Sequence, residues 1–211
     1  MSDLSYKTKW NNVITLENWL SPNEYTCKIH FDIATDNGDE QNVAFERCKV
    51  LFDVIFNNSL LISIDNPLLP ILKKKTSQKI ITLPTEPLDL VIASMLYHKC
   101  NAICEGRLDI IQVDIKSSQG DNIWIHFDED FAENSDLDKL ELFQKINETP
   151  WWHRLDASHA DWFEKTKAEL KYHKHAVAWE KSLLWEQEDG NIDNKVSKWK
   201  PTIINGGKTQ H

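Results

Sequence analysis

The sequence predicts an α+β fold: an antiparallel four-stranded sheet with two helices on one face, ordered β-β-α-α-β-β, followed by a C-terminal helical extension. Three observations carry this. Tyr25, Cys27, Ile29, Phe31 and Ile33 alternate with Thr26, Lys28, His30 and Asp32, the period of a half-buried strand. Residues 84–127 read as a helix, a strand, a turn and a returning strand. The chain of 211 residues, 41% hydrophobic and 27% charged, is long enough to bury one good core.

Taken in order, Val13, Ile14, Leu16 and Trp19 suit either a strand or a short helical turn. As a strand, the segment forms a hairpin with 25–33 across the turn signal Ser21-Pro22-Asn23. Asp36-Asn37-Gly38-Asp39 ends that hairpin, and Asp39 or Asn42 is placed to cap the next element. Residues 42–56 form a helix apolar on more than one face (Ala44, Phe45, Cys48, Leu51, Phe52, Ile55, Phe56), hence buried on two sides. Residues 59–80 read as a long connection with one or two short strands, and Lys73-Lys74-Lys75 as a solvated loop.

The second helix has readable ends: Thr85 as N-cap, Pro87 in the first turn and Gly106 as the stop. Between them Leu88, Val91, Ile92, Met95, Leu96 and Ile103 recur at helical spacing. The next strand sets Asp109, Ile111, Val113 and Ile115 on one face and Ile110, Gln112, Asp114 and Lys116 on the other. Gly120-Asp121-Asn122 is turn chemistry. The returning strand places Ile123, Ile125 and Phe127 opposite Trp124, His126 and Asp128.

The domain plan is therefore residues 1–135 for the α+β domain, 136–190 for a helical extension and 191–211 for a polar tail. Within the extension, 137–146 suits a short helix and Pro150-Trp151-Trp152-His153 an aromatic junction. A long helix with two apolar edges runs from a cap at Asp156 or Ser158 to about Gln187. His153, His159, His173 and His175 are spaced as surface histidines. The acidic run from Asp128 lacks the spacing and glycine of a calcium loop.

Composition narrows the function classes. A net charge of −9 without a basic stripe argues against nucleic-acid partners. No apolar run approaches the ~20 residues of a membrane span, and residues 1–10 lack a secretory h-region. Cys27, Cys48, Cys100 and Cys104 lie inside strand and helix patterns, as buried thiols do, which predicts a cytoplasmic protein. His98, Cys100 and Cys104 read as core or boundary residues of the second helix, not as a metal set.

Pro84-Thr85-Glu86-Pro87-Leu88 and Val113-Asp114-Ile115-Lys116-Ser117-Ser118, in this element order, resemble the tunnelling fold of the pyruvoyltetrahydropterin synthases and related queuosine-pathway synthases. That family opens its second helix with Pro-Thr-x-Glu-x-Leu and ends the following strand in Val-x-Val-x-Glu-Thr. The resemblance implies a cyclic homo-oligomer around a wet tunnel and a pteridine- or purine-like small-molecule ligand. It also implies zinc held by a histidine of the first strand and a His-x-His pair of the second, but residues 13–19 have no histidine and 25–33 only His30. Ser117 stands where the family has its substrate-anchoring glutamate. The expectation is a non-catalytic or divergent member without pterin-synthase activity, cofactor or metal, and no catalytic residue is carried over.

The polar strand faces supply the candidate ligand-binding residues: His30, Asp32, Asp114, Ser117, Trp124, His126 and Asp128. An alternative comes from a repeat, Ile29-His30-Phe31-Asp32 and Ile125-His126-Phe127-Asp128. Two paired His-x-Asp strands would serve a metal-dependent hydrolase or phosphoesterase-like enzyme. The plain reading of the same repeat is strand alternation that turns polar residues outward.

Overall fold

The protein is represented by a computed structural model that describes residues 4–134 and 148–155. The helices expected over 137–146 and from Asp156 or Ser158 onward, and the 191–211 tail, lie outside the described residues. A long hairpin comes first: β1 (Ser5–Leu16) pairs antiparallel with β2 (Trp19–Ile33), in register from Leu16↔Trp19 to Ser5↔His30. Its tip is Glu17-Asn18, with Glu17 at φ 53°, whereas Ser21-Pro22-Asn23 lies inside β2. Pro22 is tolerated there because β2 meets its other neighbour only from Tyr25 onward.

Asn37, not Asp39 or Asn42, caps α1 (Gly38–Val50) by accepting from the Asp39 backbone N–H. A single π-helical stretch, Leu51–Phe56, continues it. The connection expected over 59–80 is β3 (Ser59–Ser63), α2 (Leu69–Lys75) and β4 (Ile80–Leu83). The three lysines fill the last turn of α2, where cations suit the helix dipole. Next come α3 (Asp89–Cys104), β5 (Leu108–Ser117), β6 (Ile125–Asp128) and α4 (Glu129–Asn134). Helix α3 starts four residues after Thr85, with Leu88 at its N-cap and no side-chain cap.

The sheet is six-stranded and mixed, in the order β4-β3-β1-β2-β5-β6. The expected antiparallel quartet is contained in it as β1-β2-β5-β6, but β3 and β4 add parallel strands beyond β1. This corrects the four-stranded expectation, and among the described residues the edge strands are β4 and β6. Helices α1 and α3 cover one face. Their main core includes Trp10, Tyr25, Phe52, Met95, Val113 and Phe127, with Trp10 stacked on Tyr25 at 5.2 Å. All four cysteines are buried and free. Strands β3 and β4 are covered on both sides, since Leu61 and Ile81 join the main core while Leu60, Ile62 and Ile80 pack with Leu69 of α2. No helix among the described residues is long and apolar enough to cross a membrane.

Strand β5 departs from simple alternation. Its pairing with β2 jumps from His30↔Gln112 to Phe31↔Ile110, so Ile111 is the extra residue of a bulge and is exposed. The bulge returns Ile110 and Leu108 to the core face, against the expected facing of Ile111 and Asp109. Beyond Gln112, β6 no longer pairs with β5, and the Asn101 side chain of α3 takes its place. Its amide donates to the Ile110 carbonyl (3.1 Å) and accepts from the Ile110 N–H (2.8 Å).

A buried ion network closes the turn from α3 into β5. Arg107 donates to Glu40 (2.6 Å) and Glu105 (2.5 Å), and Arg47 donates to Glu105 (2.6 Å) and the Ile103 carbonyl (2.8 Å). Arg47, Arg107 and Glu40 are all buried, and Glu105 holds a left-handed C-cap at φ 51°, followed by Gly106 at φ 69°. Two cations and two anions balance, so the network is neutral only while complete. Glu40→Ala is expected to destabilise the protein by about 3–5 kcal/mol, with much of the loss recovered in Glu40→Leu/Arg107→Met. Chemical denaturation of the three proteins checks this.

Candidate functional site

Two polar arrangements stand out, one on the outer sheet face and one at the end of the sheet. On the outer face, β5 lies between β2 and β6, so the two histidines of the repeated tetrapeptide are separated by a strand. They meet through Asp114. His30 Nε2 lies 2.8 Å from Asp114 Oδ2, and His126 Nδ1 lies 2.8 Å from Asp114 Oδ1. Gln112 also donates to Oδ1. Burial alone would raise the Asp114 carboxyl, but hydrogen bonds from Gln112, His126 and His30 outweigh it and hold it below its ordinary value. His30 is buried, whereas the His126 side chain is 61% exposed.

The aspartates of the repeat stay out of this cluster. Asp32 lies beyond the bulge, exposed and opposite Asp109. Asp128 caps α4 by accepting from the Phe131 N–H at 2.7 Å. Trp124 sits beside the array, with Lys116 Nζ 5.1 Å from its ring centre. Among the described residues no group of three or more His, Cys, Asp or Glu is placed to hold a metal ion. The two imidazoles are each turned to the same carboxylate and do not converge on a common point.

The second arrangement is a groove of about 320 Å³ at the end of the sheet where the 117–120 loop meets the start of α3. Its walls are apolar: Ile14, Leu16, Leu88, Leu90, Ile123 and Ile125. One corner is polar. Ser117 Oγ donates to Asp89 Oδ2 (3.0 Å) and accepts from the Gly120 N–H (3.0 Å). A Cβ on Gly120 would overlap Asp89 Oδ2, so glycine is needed for this close approach. Burial pushes the Asp89 carboxyl up, opposed by its hydrogen bonds from Ser117.

The corner is held firmly. Asn23, almost fully buried in β2, accepts from Ser118 Oγ (2.8 Å) and from the Gln119 N–H (3.0 Å). Asp121 and Asn122, both at positive φ, complete the turn that the sequence marks. Next in sequence to the lining residues Leu16 and Pro87, Glu86 Oε1 accepts from the Glu17 N–H of the hairpin tip (2.8 Å). Of the sequence candidates, the structure thus brings His30, Asp114 and His126 together and sets Ser117 in the groove. Asp89 escapes the sequence reading, which takes Gly120 only as part of a turn. The signal was present in part, since Asp89 opens the helix directly after Pro87-Leu88 and Gly120 follows Ser117-Ser118.

No protein-family model matches this sequence, and no curated protein matches it either. Among solved structures, an uncharacterized protein from Wolinella succinogenes, WS1659, is similar at a TM-score of 0.42 and 11% identity, covering 60% of this chain and 96% of that one. The tunnelling-fold resemblance therefore rests on the two sequence motifs and on the antiparallel β1-β2-β5-β6 part of the sheet.

Asp114 gives this region a pH signature. A carboxyl whose folded pKa is depressed contributes stability above its unfolded value of about 3.9, and that contribution disappears as pH falls through the folded value. The stability difference between wild type and Asp114→Asn should therefore be greatest above about pH 5 and shrink on acidification below about pH 4. Denaturation curves at stepped pH check it, and a difference constant with pH is the contrary result.

Proposed function

We propose that this chain is a non-catalytic, divergent tunnelling-fold-like protein that binds a small molecule in the groove above Asp89 and Ser117. The observation that carries this is the pairing of apolar walls with one polar corner, in a cavity within the size range of small-ligand sites. Support also comes from position. Ser117 stands at the strand end where the resembled family anchors its substrate, and here a carboxylate reaches the same corner from the first residue of α3. A pteridine or purine carries polar atoms around its whole edge, whereas this groove offers hydrogen-bonding groups at one corner. The geometry favours an apolar body with one polar end.

Self-association belongs to the same proposal, with β4 and β6 as the edge strands among the described residues. A second reading, acid–base chemistry on the outer face, has one observation in its favour. Asp114 holds His126 through Nδ1, and most of that imidazole is exposed. Release of nitrophenol from model phosphoesters, lost in His126→Ala, is its signature.

The main proposal is tested by calorimetric titration of the full chain with indole, neopterin and guanine. Indole is expected to bind, and Ile123→Ser, which trims one wall, to weaken it by roughly tenfold. Light scattering on the same sample is expected to give a multiple of 24.6 kDa. Absence of binding by all three compounds contradicts the binding reading, and a monomer contradicts the assembly.

A further inference from the structure

All four cysteines of the chain lie in the main core, and three of them gather where α1 packs on α3. Cys48 is in the last turn of α1, and Cys100 and Cys104 stand four residues apart on one face of α3. Cys48 Sγ lies 3.7 Å from Cys104 Sγ, and the Cys100 thiol also hydrogen-bonds Cys48. A buried cysteine by itself acts as a small apolar filler. Two thiols in contact offer something more. A sulfur–sulfur bond is about 2.05 Å long, so the gap between Cys48 and Cys104 has to close by roughly 1.7 Å, a displacement that rotating the two side chains supplies.

The surroundings give the thiols different roles. Hydrogen bonds from Cys100 and Cys104 pull the Cys48 thiol well down against its burial, and the Arg47 charge adds to the effect. The bond to Cys48, together with burial, pushes Cys100 and Cys104 up. Cys48 is therefore the thiolate of the group, the form that reacts. It is also the least enclosed, at 5% exposure against 0% for Cys100 and Cys104. Arg47 and Glu105, the chain neighbours of Cys48 and Cys104, are joined at 2.6 Å, so the two segments are already drawn together beside the sulfurs. Cys27 is the contrast: it sits in the same core on β2, where burial pushes its thiol far up.

We infer that Cys48 and Cys104 are a site of reversible oxidation, forming a disulfide that clips α1 to α3 when the protein meets a peroxide. The Cys48 thiolate attacks one peroxide oxygen and the O–O bond breaks. Hydroxide leaves, takes up the proton that Cys48 had released, and becomes water, while Cys48 is left as a sulfenic acid. The Cys104 sulfur then attacks the Cys48 sulfur and displaces hydroxide, which takes the Cys104 proton and leaves as a second water. Two electrons pass from the two sulfurs to the peroxide, and a thiol reductant reverses the change. The new bond spans residues 48 and 104 beside the ion network, so it fixes by covalent means the helix pair that Arg47 and Glu105 hold by charge.

The test treats full-length protein with hydrogen peroxide in native buffer and maps its peptides without reduction. The mass is expected to fall by about 2 Da per chain, with one linked peptide pair carrying Cys48 and Cys104. Cys27 should remain a free thiol, which separates reaction in the folded core from reaction after global unfolding. Tm should rise by roughly 5–15 °C, and dithiothreitol should reverse both mass and Tm. Cys100→Ala should still form the link; should that variant fold poorly, the wild-type peptide map and its reversal decide alone. An unchanged mass in millimolar peroxide overturns the inference, as does a link between chains or one through Cys27. A link from Cys48 to Cys100, or its loss in a folded Cys100→Ala protein, overturns the assignment of the pair, and a Tm unmoved by the link overturns the clip.

Discussion

Helix α3 is fastened to strand β5 at both ends, and the rest of the domain is arranged on that pair. At the turn joining them, Arg47 and Arg107 share Glu105 while Glu40 of α1 holds the other side of Arg107. In the last turn of α3, Asn101 bonds both backbone groups of Ile110. At the far end Asp89 accepts from Ser117. With the ends fixed, the helix cannot slide along the strand, so Asp89 is kept against Gly120 and the groove keeps its polar corner. Partial satisfaction of a buried polar network is worse than none, which makes the ionic end the point where the fold is most easily broken.

The same fastening separates two chemistries. Helices on one face of β1, β2, β5 and β6 leave the opposite face to polar side chains, where Asp114 collects two imidazoles and an amide. That array has its hydrogen-bonding capacity directed inward, at one carboxylate. The groove has the reverse character: its walls Leu88 and Ile123 are exposed, and its polar groups are gathered at one corner. A concave surface that combines exposed apolar area with a polar corner is where a ligand gains most from docking. This is why the groove carries the functional proposal and the histidines do not.

Much of the fold was legible in the sequence because its signals are local. Strict alternation from Tyr25 to Ile33 marks β2, the apolar helix of 42–56 is found as α1 and its π-helical continuation, and Asp121-Asn122 makes a turn at positive φ. The misses have physical reasons. Short strands were expected within 59–80, but Leu60-Leu61-Ile62 and Ile80-Ile81 are apolar on both faces, as parallel strands buried on both sides are, so periodicity could not place them in the sheet. The bulge at Ile111 inverts a facing that depends on partner strands, and it is invisible to a single strand's pattern. Ion pairs joining residues 40, 47, 105 and 107 form only when distant segments meet. For the candidate site, Ser117, Asp114, His30 and His126 were within reach because they lie on alternating strands. Asp89 was overlooked because its neighbours form the apolar stripe of α3, and its role depends on a loop thirty residues away.

The central claim, that the end groove is a preformed ligand site with Asp89 at its polar corner, is tested most directly by a crystal structure of the full chain soaked with small aromatic fragments. The account predicts fragment density between Leu88 and Ile123, with a polar fragment atom within hydrogen-bond distance of Asp89 or Ser117 and Gly120 unmoved. A groove closed by its own side chains, with fragments bound only elsewhere, would contradict it.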